Sequence, residues 1–402
     1  MNYDDVISRC ADRWDSFYLY DETGILKSIK FLKSNFPQIS FLYSVKCNPN
    51  PHVLRCIFKQ GFGADAASAG EVRLANESGL SAAQIYYSAP GKSRRDIESS
   101  IDKAILVADS IDEIGRIQAA AEQAGKVVQI GIRINPNFTF AGDGGKPSKF
   151  GIDEDRALAF VRENSFKNVR VTGIHVHVKS QELDADVLAA YYERMFRLAG
   201  KFAHACGGLE YVNMGSGMGV PYAPADSALD IPALGLAMQR GLDEFRLSCP
   251  ATKVILEVGR YAVCKSGYYV TKVLDRKVSF GKTYLILKNT MNGFIRPSMA
   301  RLIERCSAGE GAVGAEPLFT SKDAFEFSAL KGGPASETVT LVGNLCTATD
   351  VIAEDIRMPH LECGDLIVIT NAGSYAAVLS PVQFSAQEKP AELFLTQGGE
   401  IV

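Results

Sequence analysis

A lysine at the end of an apolar run is the first residue of this chain that could do chemistry. Phe41-Leu-Tyr-Ser-Val-Lys-Cys-Asn-Pro-Asn50 sets Lys46 at the close of a strand-like stretch that reads as fully covered. A buried ammonium there must be paired, depressed in pKa or covalently consumed, and a lysine so held is a candidate Schiff-base residue. Taken alone, it is more simply a lysine snorkelling from a strand end to water. Three other segments give it company. In His175-Val-His-Val-Lys-Ser180, His177 can stack on a flat ring and Ser180 can donate to a phosphate oxygen. The glycine-rich turn Asn213-Met-Gly-Ser-Gly-Met-Gly219 can cradle a phosphate with its N–H groups, although such clusters also make ordinary tight turns. Leu256-Glu-Val-Gly-Arg260 offers a carboxylate, Glu257, and an anion partner, Arg260, which could equally pair with each other.

These segments fall at the ends of regularly spaced apolar runs. Runs near 41–45, 64–67, 84–88, 104–108, 128–134, 170–178, 209–214 and 253–257 alternate with amphipathic helical segments. Ser68-Ala-Gly-Glu71 and Ser110-Ile-Asp-Glu113 carry the serine and glutamate of a capping box, and Gly61, Gly79, Gly125 and Gly207 stand where left-handed helix caps are expected. Eight strand–helix pairs match a (β/α)8 TIM barrel, whose reactive groups gather at the carboxyl ends of the strands and whose phosphate site follows strands seven and eight. The pattern then changes to strands without long helices: Tyr268–Leu274, Tyr284–Leu287, Thr338–Val342 and Asp365–Thr370. The expected organisation is a barrel over residues 22–262, with residues 1–21 and 263–402 forming a C-terminal all-β domain of sandwich or barrel-like form. The strand-like Phe17–Tyr20 joins it. Asn137–Ser148, rich in Gly, Asp and Pro, is expected to be a mobile loop over the barrel mouth.

Bulk composition narrows the chemistry. With 402 residues, 47% hydrophobic, and a net charge of −3, the chain has no electrostatic footprint for nucleic acid or an anionic membrane. Its start lacks a signal-peptide pattern and no apolar run suffices to span a bilayer, so a cytoplasmic protein is expected. Nine cysteines without a Cys-x-x-Cys pair read as reduced thiols, mostly in the core. The five histidines form no metal-binding helix pair, so no metal is expected.

Lysine, stacking histidine, phosphate loop, arginine and carboxylate together meet the needs of pyridoxal 5′-phosphate. The pattern resembles the fold-type III pyridoxal-phosphate decarboxylases, the family of ornithine, arginine and diaminopimelate decarboxylases. The resemblance spans nearly the whole chain. It is carried by Tyr43-Ser-Val-Lys-Cys-Asn48, Ala64-Asp-Ala-Ala-Ser68, Lys149-Phe-Gly151, His177–Ser180, Gly215-Ser-Gly217, Glu257-Val-Gly-Arg260, Cys346 with Asp350, and Gly373-Ser-Tyr375. It implies that Lys46 forms the imine with the cofactor and that His177 packs on the ring. Ser180, Gly215, Ser216, Gly217, Arg260 and Tyr375 would hold the phosphate, and Glu257 would keep the pyridine nitrogen protonated. Asp65, Glu71 and Arg133 match polar positions lining the pocket and could equally be structural. Cys346 corresponds to an acid that reprotonates the α-carbon across a homodimer interface, with an ordinary buried thiol as the alternative.

Three departures from the family pattern bear on the substrate side, where Arg296, Thr347 and Asp350 fall. Thr347 replaces the acidic residue that holds a distal amine in ornithine and diaminopimelate decarboxylases. Ala300 replaces a tyrosine in Arg296-Pro-Ser-Met-Ala300, a stretch that keeps the arginine. Lys179 stands where a glycine is usual, and Gly215-Ser-Gly217 replaces a triple glycine. The resemblance therefore implies decarboxylation of a modified or carrier-tethered amino acid in a siderophore or natural-product pathway. The alternatives are a meso-diaminopimelate decarboxylase and a non-catalytic regulatory relative. Racemisation on the same barrel is disfavoured by Glu257, since racemases of this fold place an arginine at the pyridine nitrogen.

Overall fold

The computed structural model describes residues 3–163, 166–306 and 322–402. The chain forms two compact units, one of Lys27–Val220 with Ala228–Tyr261, the other of Met1–Leu26, Pro221–Ser227 and Ala262–Val402.

One strand, β1 (Ser16–Asp21), precedes the barrel. The barrel strands are then β2 (Ser40–Ser44), β3 (Gly63–Ala66), β4 (Ile85–Ser88), β5 (Ile105–Ala108) and β6 (Val128–Asn135). A hairpin of β7 (Phe138–Thr139) and β8 (Gly142–Asp143) and a short β9 (Ile152–Asp153) intervene before β10 (Val169–His175), β11 (Tyr211–Asn213) and β12 (Lys253–Val258). Each of the eight barrel strands pairs in parallel with the next; β12 pairs with β2 and β10 with β6, so the sheet closes. All eight apolar runs of the sequence are strands of this barrel. Register decides which residues meet at the carboxyl ends: Ser44 lies opposite Asp65, Arg133 opposite His175, and His175 opposite Asn213.

The lower interior is filled by Leu42, Tyr86, Val107, Tyr211 and Ile255. Tyr211 crosses the barrel, its ring edge-on to Tyr86 at 4.9 Å, and two strands make room for it with glycine. A Cβ on Gly173 would fall 2.2 Å from the Tyr211 ring, and one on Gly131 would fall 2.1 Å from its hydroxyl oxygen. The four helix-cap glycines, Gly61, Gly79, Gly125 and Gly207, all have positive φ, as their positions demand. The capping boxes form only halfway. Ser68 accepts from the Glu71 N–H and Ser110 from the Glu113 N–H, but Glu71 reaches back to the Ala67 N–H and Glu113 turns inward to Lys92 Nζ at 2.7 Å. Lys92 and Glu113 are both buried, and Lys92 also donates to the Ala89 and Val107 carbonyls. A buried pair outcompetes a cap because an unpaired charge there would cost several kcal/mol.

In the other unit, β13 (Gly267–Ser279), β14 (Lys282–Leu287), β15 (Phe327–Ala329), β16 (Glu337–Gly343), β17 (Val351–Met358), β18 (Leu366–Ile369) and β19 (Ala391–Leu395) join β1 in one eight-stranded mixed sheet. β1 runs antiparallel to β13 and parallel to β19, as the strand-like Phe17–Tyr20 suggested. Phe17, Leu19, Val270, Val368, Leu393 and Leu395 pack with Val6, Ile7 and Cys10 of the first helix. Of the eight cysteines whose side chains are described, none in a disulfide, five are buried.

Gly131→Ala should lower stability by about 1–3 kcal/mol, as overpacked cores do. Tyr211→Phe, which removes the oxygen the new methyl would strike, should make that substitution cheaper. Equal costs of Gly131→Ala in denaturant unfolding of the Tyr211 and Phe backgrounds would contradict this packing.

Candidate active site

Lys46, the residue with which the chemistry begins, is not buried. β2 stops at Ser44, and Val45–Cys47 forms a short 3-10 turn that lifts Lys46 off the strand, leaving its side chain 44% exposed. Its ammonium donates to Asp65 Oδ2 at 2.8 Å. The apolar residues around it misled the sequence reading: Phe41, Leu42, Tyr43 and Val45 are buried as expected, and the turn alone carries the cation out. Asp65, wholly buried on β3, also accepts from Ser44 Oγ (3.0 Å) and Ser88 Oγ (2.7 Å). Donors from the two strands that flank β3, Ser44 and Lys46 at and just after the end of β2 and Ser88 at the end of β4, thus fix this one carboxylate. Asn48 and Asn50 shape the exit from the turn, Asn50 capping the helix Pro51–Phe58.

On the other neighbour of β2, Glu257 near the end of β12 is a buried carboxylate. Asn213 Nδ2 donates to its Oε1 at 2.9 Å. His175 Nε2 lies 3.0 Å from the same oxygen, within ion-pair distance though bent away from a linear hydrogen bond. His177 Nδ1 is 3.8 Å from Oε2. Burial alone would push the Glu257 pKa up, but His175, His177 and Lys46 outweigh it and hold the carboxyl well below the usual range. The group stays anionic. His177 moves the other way, burial lowering it to about 4 with help from Lys46 and Arg133 and against the pull of Glu257. Its imidazole is therefore neutral near pH 7, with Nε2 and Ser180 Oγ 3.0 Å apart. Both histidines face Glu257. Arg133, buried on β6, lies 3.6 Å from Asp109, and its guanidinium stacks over Phe150 at 4.4 Å.

The turn after β11 has the character of an anion cradle. Gly215 and Gly217 have φ of 61° and 82°, and a Cβ at either would collide, at 2.7 Å with the Val176 carbonyl or 2.6 Å with Phe140. Tyr191 and Tyr192 hold the Met214 and Ser216 carbonyls, while among the described residues the Ser216 and Gly217 N–H groups have no protein acceptor. Two adjacent unused donors in a left-handed turn form a nest for an oxyanion. Arg260 is buried at the start of the helix Arg260–Val263. Gly259 brings this segment against the lysine turn, its Cβ position lying 3.1 Å from Cys47 Cβ and 3.2 Å from Ser44 Cβ. Amine, flat neutral ring, phosphate nest and buried anion are the donor set that pyridoxal phosphate requires, and the residues fit it. The Asn137–Ser148 segment contains the β7–β8 hairpin, whose Phe140 is the neighbour that Gly217 accommodates. Lys179 pairs with Glu182 at 2.9 Å.

The remaining sequence candidates belong to the other unit. Arg296 is fully buried, donating to the Ser374 carbonyl at 3.0 Å between the rings of Tyr222 and Phe325. Asp350 is buried and accepts from Thr290 Oγ1 and from the Met291 and Leu345 N–H groups, so its carboxylate shapes the loop that carries Cys346. Cys346 is exposed, which removes the buried-thiol alternative. Thr347 Oγ1 sits 2.9 Å from Thr349 Oγ1, and Tyr375 adopts a positive φ of 51°. Sequence reasoning missed Asn213 as a partner of Glu257, His175 as its neighbour, and the Lys92–Glu113 pair. Register was the missing signal for the first two.

Residues 22–264 match the family model for the pyridoxal binding domain of pyridoxal-dependent decarboxylases. The chain is 32% identical to the L-glutamyl-[BtrI acyl-carrier protein] decarboxylase of Niallia circulans, over 99% of this chain and 93% of that protein. It is 29% identical to the diaminopimelate decarboxylase of Helicobacter pylori strain J99, over 94% and 90% of the two chains. The crystal structure of diaminopimelate decarboxylase from Helicobacter pylori complexed with L-lysine superposes with a TM-score of 0.82 at 27% identity, covering 100% of this chain and 95% of that one.

His177 should titrate with a midpoint near 4 when followed by its imidazole NMR signal. In the unfolded chain histidine titrates near about 6.5, so the unfolded state takes up the proton first. Neutral His177 therefore withdraws stability as pH falls from about 6.5 towards 4. A midpoint at the ordinary value would contradict a ring kept neutral by its surroundings.

Proposed function

The chain belongs to the pyridoxal-dependent decarboxylases and is a pyridoxal-phosphate-dependent carboxy-lyase acting on an amino acid; on that premise we propose that its substrate is an amino acid tethered to a carrier, not free ornithine or free meso-diaminopimelate. The observation that carries this reading is the Cys346–Asp350 loop. A free diamino substrate brings a distal ammonium that needs an anion, and the position after Cys346 holds Thr347, whose hydroxyl is turned to Thr349. The loop's one carboxylate, Asp350, is buried and spent on Thr290 and two backbone N–H groups. An ammonium placed there would lose its charge partner, a loss of several kcal/mol once desolvated. A substrate whose distal group is acylated carries no such charge. The Niallia circulans relative, a decarboxylase of a glutamyl group on an acyl-carrier protein, supports the same reading.

Bound pyridoxal phosphate supplies an electron sink for the pair left on the α-carbon when carbon dioxide departs. The chain's own residues then have separate tasks. Lys46 Nζ is the amine that would hold the cofactor's aldehyde carbon, and Asp65 keeps that amine at the strand end. Neutral His177 offers a flat face without adding a cation. The Ser216 and Gly217 N–H groups, with Arg260, Ser180 and Tyr375, would bind the phosphate. Glu257, held ionised, would keep a proton on the ring nitrogen and so strengthen the sink. Cys346 is proposed as the acid that returns a proton to the α-carbon from a partner subunit, which makes a homodimer the working unit. No described helix is long and apolar enough to cross a membrane, and described cysteines that form no disulfide support a reducing, cytoplasmic setting.

Carbon dioxide release from carrier-tethered glutamate, free glutamate and meso-diaminopimelate tests the proposal. Turnover should be confined to the tethered amino acid; efficient turnover of free meso-diaminopimelate with none from the tethered form would overturn it. Lys46→Ala should abolish both cofactor absorbance and activity. Cys346→Ala should keep the absorbance and lower kcat by about 100-fold or more, the usual contribution of a general acid.

A further inference from the structure

We propose that His175 is a positioning residue for the Glu257 carboxylate: together with Asn213 it occupies Oε1, leaving Oε2 as the oxygen presented to the cofactor's ring nitrogen. The inference rests on Glu257 being the partner of that nitrogen, as proposed for the active site. His175 is 1% exposed, ends β10, and pairs in register with Asn213 on β11. Its Nε2 and Asn213 Nδ2 approach the same oxygen, at 3.0 and 2.9 Å. His177 Nδ1, from the segment that would stack on the ring, is nearest Oε2 instead, at 3.8 Å. The two oxygens are thus differentiated by their surroundings before any ligand arrives.

A carboxylate about its terminal torsion is otherwise soft and roughly two-fold. One hydrogen bond from Asn213 and the close His175 imidazole hold that oxygen in place, so little reorientation is required when charge develops at the ring. Both ring nitrogens of His175 are buried without a linear hydrogen-bond partner among the described residues, and the tautomer with the proton on Nε2 sets that N–H dipole 3.0 Å from the Oε1 anion. Asn213 is fixed in turn, because its Oδ1 accepts the Gly215 N–H at 3.0 Å. The same side chain therefore couples the carboxylate to the phosphate turn. The other groups around Glu257 are Lys46 beyond β2, His177 beyond β10, Arg133 on β6 and Tyr191 on the helix Ala185–Cys206.

The experiment compares His175→Phe, His175→Gln and Glu257→Gln holoenzymes. Gln can place an amide N–H where Nε2 stood; Phe cannot. The proposal expects His175→Phe to lower kcat by about 10–100-fold, the equivalent of one hydrogen bond to a charged group, with KM within about threefold. The acid limb of the absorbance titration, read without substrate, should move up by about one pH unit as the carboxylate loses its neighbour. His175→Gln should restore both. If Phe prevents folding, His175→Asn, whose amide falls at the Nδ1 position, must show the same loss. A His175→Phe or Asn enzyme that matches wild type in kcat and titration, while Glu257→Gln is crippled, overturns the positioning role alone. If Glu257→Gln is also indistinguishable from wild type, the reading of Glu257 itself fails.

Discussion

One buried anion governs the mouth of the barrel. Glu257 lies in a place where an isolated carboxylate would cost several kcal/mol, and it persists because Asn213, His175, His177 and Lys46 converge on it from three other strand ends. Without that convergence, burial would push the carboxyl's pKa up and weaken the charge it would offer a pyridinium nitrogen. Asp65 repeats the device on β3, the other neighbour of β2, anchored by Ser44 and Ser88 beside the lysine. The site is an arrangement of two fixed negative charges on the strands flanking β2, with the amine between them and the neutral His177 ring beside Glu257.

The fold achieves that arrangement through register. Closing eight parallel strands forces their carboxyl ends into one ring, and the pairings Ser44 with Asp65, Arg133 with His175, and His175 with Asn213 place polar residues of distant sequence side by side. Beneath them, Tyr211 fills the barrel only because Gly131 and Gly173 have no side chains. The chemistry above depends on a floor that cannot shift.

Much of this was legible in the amino-acid sequence, and the failures have physical causes. Apolar periodicity located all eight barrel strands because a strand covered on both faces cannot hide its composition. Positive-φ glycines were readable at the helix caps and in the phosphate turn because only glycine adopts that backbone without strain. Burial of Lys46 was inferred wrongly: its neighbours in sequence are buried, yet a three-residue turn suffices to expose it. Glu113 looked like a cap residue, and sequence could not reveal that Lys92, 21 positions away, would claim it. His175 and Asn213 each appeared in quoted motifs, but their shared hold on Glu257 comes from strand pairing, which no local pattern encodes. For the substrate side, Thr347 and Ala300 were informative by departing from a family pattern, and the structure adds that Asp350 cannot substitute for the missing acid.

The central claim is that Glu257 keeps the cofactor's ring nitrogen protonated. Reconstituting the protein with cofactor labelled with ¹⁵N in the ring and recording its nitrogen NMR signal reads that proton directly. A pyridinium shift in the wild-type protein, reverting to the neutral-pyridine position in Glu257→Gln, is the result the structure predicts. A neutral-pyridine shift in the wild-type holoenzyme would contradict it.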